Sequence, residues 1–461
     1  MLRQILPDCV IVLGGPEVSF ETDESAYPFA DYIIQGAGEH VFADLIKDLM
    51  KGRAPQSRII KSCAAPALAE LPSPYTSAYY NSFGTGRMAS VANQLVYYES
   101  SRGCPFSCTY CLSATACGIS ELPLAQVLSD LDDLTAHGAT CIKFVDRTFN
   151  ANKGRALEIL QHILTLETDC TFHFEAAADL FDSDLLQVIS AMPSERVQFE
   201  IGIQSIHAQT LIEINRHMDL ERVFQNIQTL VSFGNCHIHV DLIAGLPFET
   251  PDSFSKGIDA CIKLRPHMLQ LGFLKLLKGT TIRTHRERYG YVFNEFPPYE
   301  VLQSKHMRFA DMIQLRRVEE MIDRFYNKGI FANSVNYAIN HIFGSAYPFF
   351  EALSAFCEGD NPRVSPKHAY TMLFRFLCAH IDRGLAEHYI KLDACTFNTK
   401  NVLPDEITVC RDKRLEETVR KSVQPWYANL RVEHFPHDGK TRAFVYDRRD
   451  GVSGAYQVIE L

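Results

Sequence analysis

Short apolar runs alternate with longer amphipathic stretches through the middle of the chain. The apolar runs have the length and the β-branched or aromatic content of buried strands, and they lie at 95–98, 141–145, 172–176, 197–203, 238–243 and 268–274. The stretches between them carry apolar residues at helical spacing, and they lie at 123–137, 154–166, 183–189, 207–233 and 252–264. Strands that alternate with helices predict parallel βα units. Six such strands are fewer than a full eightfold barrel requires.

The pattern changes on both sides of this region, which we assign to residues 94–280. Residues 1–65 hold a short buried strand that ends at Gly14 and Gly15, a second strand at 32–34 and a helix at 40–50. Strand, loop and helix in this order are typical of a doubly wound, Rossmann-like sheet. Residues 66–93 are rich in Pro and Gly and predict an irregular linker.

Residues 281–461 predict a separate, mainly helical α+β domain. Helical spacing runs through about 299–327 and 368–385, and the period changes to two at 430–433 and 442–446. Asp438 and Gly439 between the last two segments predict a hairpin turn. Nothing in this domain indicates chemistry, because Cys357, Cys378, Cys395 and Cys410 are widely spaced.

The amino-acid composition limits the cellular location and the binding partners that we expect for this chain. The chain has 461 residues and no apolar run of about 18 residues, so we expect no membrane span. Its N-terminus is too short in apolar residues for a secretory signal, and 14 cysteines then favour the reducing cytoplasm. The net charge of −10, without a basic run, disfavours nucleic acid as a partner.

Candidate chemistry is concentrated directly after the first barrel strand. Cys104, Cys108 and Cys111 form a Cys-x3-Cys-x2-Cys pattern on the loop that leaves this strand, where α/β barrels place their active sites. An iron–sulfur cluster normally takes four thiolates, so three would leave one iron open for a ligand. A structural zinc site, with Cys117 as a fourth ligand, and a set of inert buried thiols are the alternatives.

The residues around the thiols carry a resemblance. Arg-Gly-Cys-Pro-Phe-x-Cys-x-Tyr-Cys resembles the cluster loop of the radical S-adenosylmethionine (SAM) superfamily. The resemblance implies an open, partial (β/α)6 TIM-like barrel with a 4Fe–4S cluster on Cys104, Cys108 and Cys111. It also implies that the open iron binds SAM, and that an electron donor such as flavodoxin or ferredoxin triggers its cleavage. The resulting 5′-deoxyadenosyl radical would then abstract hydrogen from a substrate that the sequence does not identify.

Residues at the strand ends are the expected ligands of SAM. Asp146, after the second strand, stands where the superfamily often has an acceptor for the SAM amino group, although it could instead cap the next segment. Glu175, in the third strand, is expected to face the ribose or the amino group. Tyr110, between two of the cluster cysteines, is expected near the adenine, or else to be plain packing at the strand end.

The fourth strand ends in a segment that resembles the Gly-x-Gln-Ser of methylthiotransferases and coproporphyrinogen-type enzymes. Its Gln204 and Ser205 offer hydrogen bonds at the barrel mouth. Arg216 follows, and the resemblance implies that it binds the SAM carboxylate, for which a guanidinium is suited. A solvated helix residue is the alternative for Arg216.

The flanking regions also resemble parts of cobalamin-type radical SAM proteins. Residues 1–65 resemble the C-terminal part of a cobalamin-binding domain, in which a loop like Gly14–Gly15 lies along the nucleotide tail. The block is about half the length of such a domain, so we expect an N-terminally truncated member. It lacks the pattern Asp-x-His-x-x-Gly, which leaves both cobalamin binding and a purely structural role open.

The C-terminal domain resembles the uncharacterised domain of the same subfamily, and we expect it to cap the barrel mouth. With cobalamin, the implied reaction is methyl transfer to an unactivated carbon. A methylthiotransferase-like enzyme acting on RNA and a non-catalytic metal-binding scaffold are the alternatives. The acidic charge and the absence of a small basic RNA-binding domain count against the first.

Overall fold

The computed structural model describes residues 2–22, 24–62, 65–75, 95–115, 118–360, 365–407, 413–422 and 429–461. Most of the expected linker, Cys117 and Cys410 lie outside these ranges. The strands, numbered in chain order, are β1 (Val12–Leu13), β2 (Tyr32–Gln35), β3 (Ile59–Lys61), β4 (Leu95–Tyr98), β5 (Ser101–Gly103), β6 (Ile119–Glu121), β7 (Cys141–Phe144), β8 (Thr171–Ala176), β9 (Val197–Gln204), β10 (His237–Ala244), β11 (Met268–Phe273), β12 (Val292–Phe293), β13 (Val301–Gln303), β14 (Leu430–Phe435), β15 (Lys440–Arg449) and β16 (Tyr456–Glu460).

Helices connect and cover these strands. The α-helices are Leu2–Ile5, Pro16–Ser19, Glu39–Met50, Leu124–Ala136, Lys153–Thr165, Ser183–Ser190, Ala208–Glu213, Leu220–Phe233, Pro251–Lys263, Thr281–Thr284, Arg286–Tyr289, Phe309–Met321, Ala332–Tyr337, Ala346–Phe356, Pro366–Cys378, Arg383–Phe397 and Lys413–Ser422. Two segments, Ile322–Tyr326 and Ala338–Phe343, are π-helical. No helix in the described part of the chain is long and apolar enough to cross a membrane.

The central sheet confirms the predicted partial barrel. Its six strands run in the order β11-β10-β9-β8-β7-β4, and every pair is parallel. The strand order follows the chain, as successive βα units require. The outward side chains, such as Phe144, Phe174 and Phe199, are fully buried under the surrounding helices.

The inward face of the same sheet is polar, which the sequence analysis did not foresee. On β10, His237, His239 and Asp241 alternate with Ile238 and Val240, and these two apolar residues are fully buried. Strands of a parallel sheet are normally apolar on both faces. Here the interior of the barrel is therefore a ligand-facing wall rather than a packed core.

The N-terminal block is a small parallel sheet, β1-β2-β3, with the helix Glu39–Met50 beside it. Ion pairs join this block to the rest of the chain. Glu17 lies 2.7 Å from Lys278, and Glu39 lies 2.6 Å from Arg102 of the cysteine loop. The Rossmann-like half-domain therefore packs directly against the loop that carries the thiols.

The expected long helix at 299–327 is wrong at its start. The backbone amide of Leu276 donates to the carbonyl of Tyr299, and that of Val301 donates to Leu274, both at 2.8 Å. These bonds hold β13 extended, and the helix begins only at Phe309. Residues 299–308 have helical spacing but do not form a helix. The chain after β11 pairs with the backbone of Tyr299 and Val301, and a backbone that is paired in this way stays extended. The predicted hairpin at Asp438–Gly439 is confirmed by the antiparallel pair β14–β15.

Candidate active site

The three cysteines line one cavity at the carboxyl ends of the barrel strands. Its volume is about 270 Å³. Residues of the strands and of the segments that follow them complete its wall, and the polar side chains among them include Glu175, Glu200, Gln204, Arg216 and Asp241. Tyr110 also lines the cavity, so the structure brings together seven of the predicted site residues: Cys104, Cys108, Cys111, Tyr110, Glu175, Gln204 and Arg216.

Contacts with the barrel fix the cysteine loop. The Sγ of Cys104 lies 3.5 Å from the hydroxyl of Thr148, and an Nη of Arg216 lies 3.7 Å from the Sγ of Cys108. The backbone amide of Thr109 donates to the carbonyl of Ile214 at 2.9 Å. These contacts hold the loop so that its thiols line the cavity.

Asp146 lies outside this cavity and serves the loop instead. Its carboxylate accepts from the backbone amide of Ser100 at 2.8 Å and from the hydroxyls of Ser100 and Ser101 at 2.6 and 2.7 Å. Only 2% of Asp146 is exposed. The geometry therefore makes Asp146 an anchor for the start of the cysteine loop, which differs from the predicted contact with the SAM amino group.

We expect Asp146→Asn to destabilise the loop. The amide nitrogen of asparagine would replace one of the two carboxylate oxygens that accept these three hydrogen bonds. A buried donor that loses its acceptor in this way costs about 1–3 kcal/mol. Urea unfolding and iron retention after reconstitution measure the effect. Asp133→Asn, at an exposed helix position, is the matched control. Unchanged stability with weakened SAM binding would favour the original ligand assignment.

Ser205 is likewise absent from the cavity lining. Its hydroxyl donates to the carboxylate of Glu249 and accepts from the backbone amide of His207 at 3.0 Å. Gln204 and Arg216 stay at the cavity, and each has a buried polar atom, Oε1 and Nε respectively, without a hydrogen-bond partner among the described residues. Such atoms are rarely left unsatisfied in a complete site. They are therefore free to accept or donate a hydrogen bond to a ligand.

Gly202 provides the space for this arrangement. The carboxamide of Gln204, whose backbone has a φ of 70°, folds over Gly202, and an Nη of Arg216 donates to the Gly202 carbonyl. A Cβ at this position would overlap the Gln204 side chain. The Gly-x-Gln spacing is thus a packing requirement of the cavity wall.

Sequence reasoning did not single out Glu200 and Asp241 as ligand-binding residues. Glu200 lies 3.2 Å from Lys143 and from His173, and these contacts, the His173 hydrogen bond first, lower its pKa to about 2. Asp241 lies 3.2 Å from His239, and burial raises its pKa. The signal was available, since Glu200 and Asp241 alternate with apolar residues within their strands.

Glu175 titrates near neutral pH. Burial raises its pKa to about 7, although Arg147 at 3.7 Å opposes the shift. The carboxylate is therefore largely protonated at pH 6 and largely ionised at pH 8. An ionised Glu175 is the better acceptor for a hydroxyl or ammonium group of a ligand.

We therefore expect SAM to bind more tightly as the pH rises from about 6 to about 8, by roughly tenfold if only the ionised form of Glu175 binds. Calorimetric titration without reductant measures this dependence. Glu175→Gln should flatten the profile, and Glu158→Gln, on an exposed helix face, should leave it unchanged. A profile that is equally steep in Glu175→Gln would contradict the assignment.

Gly14 and Gly15 line a different cavity, of about 880 Å³, on the N-terminal block. Its wall includes Phe42 from the neighbouring helix and Arg102 and Leu112 from the cysteine-loop region. Phe42 is 46% exposed because it faces this space. The cavity therefore adjoins the loop that carries the thiols.

The residues present fit an iron–sulfur cluster with one open iron. Three thiols line the cavity, and its described lining holds no fourth cysteine. In the described ranges, no three His, Cys, Asp or Glu side chains are gathered closely enough to hold a single metal ion. A cluster of several irons binds thiolates that lie farther apart than the ligands of one ion. The zinc alternative requires Cys117, which lies outside the described residues, and it stays open.

The described residues from 281 onwards do not line the cavity itself. They do contact the segments around it: the backbone amide of Ile282 donates to the carbonyl of Thr109 in the cysteine loop at 2.9 Å, and the hydroxyl of Tyr291 donates to the carbonyl of Gly245, just after β10, at 3.0 Å. Other parts of the region pack on the edge strand β11, on the outer helix Pro251–Lys263 and beneath the barrel. The capping role of the C-terminal region stays a prediction.

The fold and the cavity define a radical SAM-type barrel, and sequence comparison agrees. Residues 98–260 match the family described as the Radical SAM superfamily. Residues 287–437 match a second family, described as Protein of unknown function (DUF4080). The chain thus contains a radical SAM domain followed by a DUF4080 domain, and the resemblance found in the cysteine loop is confirmed. A radical SAM domain implies a 4Fe–4S cluster and SAM as cofactors.

Two curated proteins are similar to this chain in sequence. The uncharacterized methyltransferase PH0819 of Pyrococcus horikoshii is 25% identical over 298 residues, 61% of this chain and 63% of that protein. The cobalamin-dependent radical SAM methyltransferase TokK of Streptomyces tokunonensis is 24% identical over 331 residues, 63% of this chain and 46% of TokK.

Among solved structures, the cobalamin-dependent S-adenosylmethionine radical enzyme OxsB with aqua-cobalamin bound is similar with a TM-score of 0.53. The identity is 16%, and the match covers 83% of this chain and 66% of OxsB. This likeness shows a shared fold. The chain spans between about half and two thirds of the length of these three relatives.

Proposed function

We propose that this protein is a radical SAM enzyme that modifies a small or macromolecular substrate after cleaving SAM. The observation that carries the proposal is one cavity that holds three thiols and unsatisfied polar atoms of Gln204 and Arg216. A thiol cluster and a set of ligand-binding groups meet there at the carboxyl ends of parallel strands, where such barrels bind substrates.

Each group in the cavity has a proposed role. Cys104, Cys108 and Cys111 would hold the cluster, which with SAM supplies a 5′-deoxyadenosyl radical for hydrogen abstraction when both are bound. The guanidinium of Arg216 would bind the SAM carboxylate. The carboxamide of Gln204 would accept a hydrogen bond from a ligand, or donate one to it, at the cavity wall. Glu175 would accept hydrogen bonds from the ribose or the amino group. A low-potential electron donor such as flavodoxin or ferredoxin would dock where the cysteine loop is accessible.

We further propose that the cavity at Gly14 and Gly15 binds cobalamin and that the reaction is methyl transfer. Its volume of about 880 Å³ and its position beside the cysteine loop support this. The names of TokK and OxsB report cobalamin dependence for those two proteins. The division into 1–65, 66–93, 94–280 and 281–461 is proposed as the matching domain plan.

Anaerobic reconstitution with iron and sulfide, followed by reduction in the presence of SAM, tests the enzyme assignment. We expect 5′-deoxyadenosine to form in proportion to the reconstituted cluster. A full cluster content without any 5′-deoxyadenosine would leave only a metal-binding scaffold. Filter binding to total tRNA serves as a further control, since tight binding would favour the methylthiotransferase-like alternative.

A separate experiment tests the cobalamin proposal. Protein mixed with hydroxocobalamin and desalted should keep corrinoid absorbance. Gly14→Leu, which places a side chain into the cavity, should lose it, whereas Gly154→Leu at an exposed helix position should not. No retained corrinoid in the unmodified protein would reject cobalamin binding and leave the radical SAM assignment standing.

A further inference from the structure

A third cavity lies at the opposite end of the barrel from the cysteines. Its volume is about 620 Å³. His237 is the first residue of β10, and His267 immediately precedes β11, so the cavity lies at the amino-terminal ends of the strands. The rest of its wall comes from the C-terminal region, including residues 325–329 and 449–454. This end of an α/β barrel usually serves stability alone.

The inner wall of the cavity is aromatic and carries an unsatisfied polar atom. Phe325, Tyr326 and Phe397 line it together with the imidazoles of His237 and His267, whose centroids are 5.0 Å apart. The Nδ1 of His267 accepts from the backbone amide of Ile238 at 3.0 Å, so its proton is on Nε2. The Nδ1 of His237 is buried and has no hydrogen-bond partner in the described part of the chain.

The His237 imidazole is neutral at physiological pH. Burial first, and then His267, lower its pKa to about 4. A neutral ring can stack against another ring and can donate or accept one hydrogen bond. The inner wall therefore offers flat faces and a free imidazole nitrogen rather than a charge.

The mouth of the cavity is predominantly basic. Arg265, Lys328 and Arg449 surround it, and none of them forms an ion pair with a described carboxylate. Asp450 is one of two acidic residues there, and its carboxylate already accepts from the amide and hydroxyl of Ser453 at 2.7 and 2.6 Å. The other is Glu195, whose carboxylate lies beside Gly451, where a Cβ would overlap it. The guanidinium of Arg449 donates to the carbonyl of Gly454, so Arg265 and Lys328 are the cations whose charged groups are left to meet an anionic ligand.

The backbone around the cavity is unusual as well. Glu195 and Arg265 adopt left-handed conformations, with φ of 66° and 56°. The π-helical segment Ile322–Tyr326 runs into the wall, and a second one, Ala338–Phe343, follows the wall helix Ala332–Tyr337. Left-handed non-glycine residues and π-helical turns cost energy and are concentrated at functional sites.

We propose that this cavity is a further binding site, formed jointly by the barrel and the DUF4080 domain, for a small aromatic anion. The ring would lie against the imidazoles and the aromatic side chains, and the anionic group would meet Arg265 and Lys328 at the mouth. The site is independent of SAM cleavage, because its residues lie at the far end of the strands from the thiols.

Calorimetric titration of the full chain with 2-naphthoate tests the proposal, and SAM is added in a second series to occupy the other site. We expect binding that SAM does not displace. Ala332→Phe, which fills the cavity, should weaken it by roughly tenfold or more, and Arg265→Gln with Lys328→Gln by about severalfold. Lys263→Gln, an exposed cation outside the cavity, should have no effect. Thermal unfolding verifies that each variant is folded.

Several outcomes would overturn the proposal. They are the absence of binding heat with 2-naphthoate, binding that Ala332→Phe and the double charge variant both leave unchanged, and displacement by SAM. Equal affinity for the neutral 2-naphthylmethanol would show that the anionic group of the ligand does not contribute to binding. Equal affinity for inorganic phosphate would show that the aromatic ring does not contribute.

Discussion

Replacing Cys108 with alanine is expected to abolish the brown absorbance of the reconstituted cluster and the formation of 5′-deoxyadenosine. Cys108 is 5% exposed, lines the cavity and lies beside Arg216, and the described lining holds no spare cysteine that could take its place. A cluster that is held by only two thiolates is not retained, because its irons require thiolate ligands. Iron and sulfide quantification and an assay for 5′-deoxyadenosine measure the two losses.

The matched control is Cys170→Ala. Cys170 is as buried as Cys108, with 1% exposed, but it packs in the core at the start of β8 and away from the cavity. This variant should keep both cluster and activity, apart from a modest loss of stability. Retained SAM cleavage in Cys108→Ala, or a cluster lost equally in both variants, would contradict the assignment of the thiols.

The second large effect is expected in the C-terminal region, from Glu433→Gln. Glu433 is fully buried, and its two carboxylate oxygens meet Lys391 at 2.6 Å and Arg431 at 2.7 Å. Removing the shared carboxylate leaves two buried or nearly buried cations without compensation, and such a change costs about 3–5 kcal/mol. The ion triad joins the helix Arg383–Phe397 to β14, so the loss should appear as a separate, earlier unfolding transition.

Urea unfolding followed by far-ultraviolet circular dichroism measures this loss. Glu460→Gln is the control, because its partner Lys440 is half exposed and a surface pair is worth about 0–1 kcal/mol. An effect of Glu433→Gln as small as that of the control would show that the triad does not hold the C-terminal sheet in place. SAM cleavage in a folded Glu433→Gln variant should be unchanged, because the triad lies far from the thiols.

Local patterns predicted the elements well. The six barrel strands were placed within a residue or two, because alternating apolar runs and helical spacing are properties of contiguous residues. The predicted helix start at 299 was wrong, because a contact between residues distant in the chain decided it. The backbone there pairs with Leu274 and Leu276, and the helix begins at Phe309. Propensity is a weak guide wherever a distant segment competes for the same hydrogen bonds.

Some of the predicted site residues line the cavity, and others form hydrogen bonds within the protein. Glu175 and Gln204, at strand ends, and Arg216, between the helices Ala208–Glu213 and Leu220–Phe233, line the cavity. Asp146 and Ser205 also stand at strand ends, but both are used internally, by Ser100 and Ser101 and by Glu249. A sequence gives the place of a polar residue on a strand, and it does not show which neighbour has already taken its hydrogen bonds.

By itself, the sequence determined the order of strands and helices and the spacing of the three thiols on the loop after the first barrel strand. Both are properties of residues that lie close together in the chain. The distances between such residues and the periodicity of their side chains are set by covalent geometry. Only the tertiary structure decided which polar groups line the cavity beside the thiols, that Asp146 anchors the loop and that a third cavity forms beneath the barrel. Those features depend on contacts between residues far apart in sequence, such as Ser100 and Asp146, which only folding brings together.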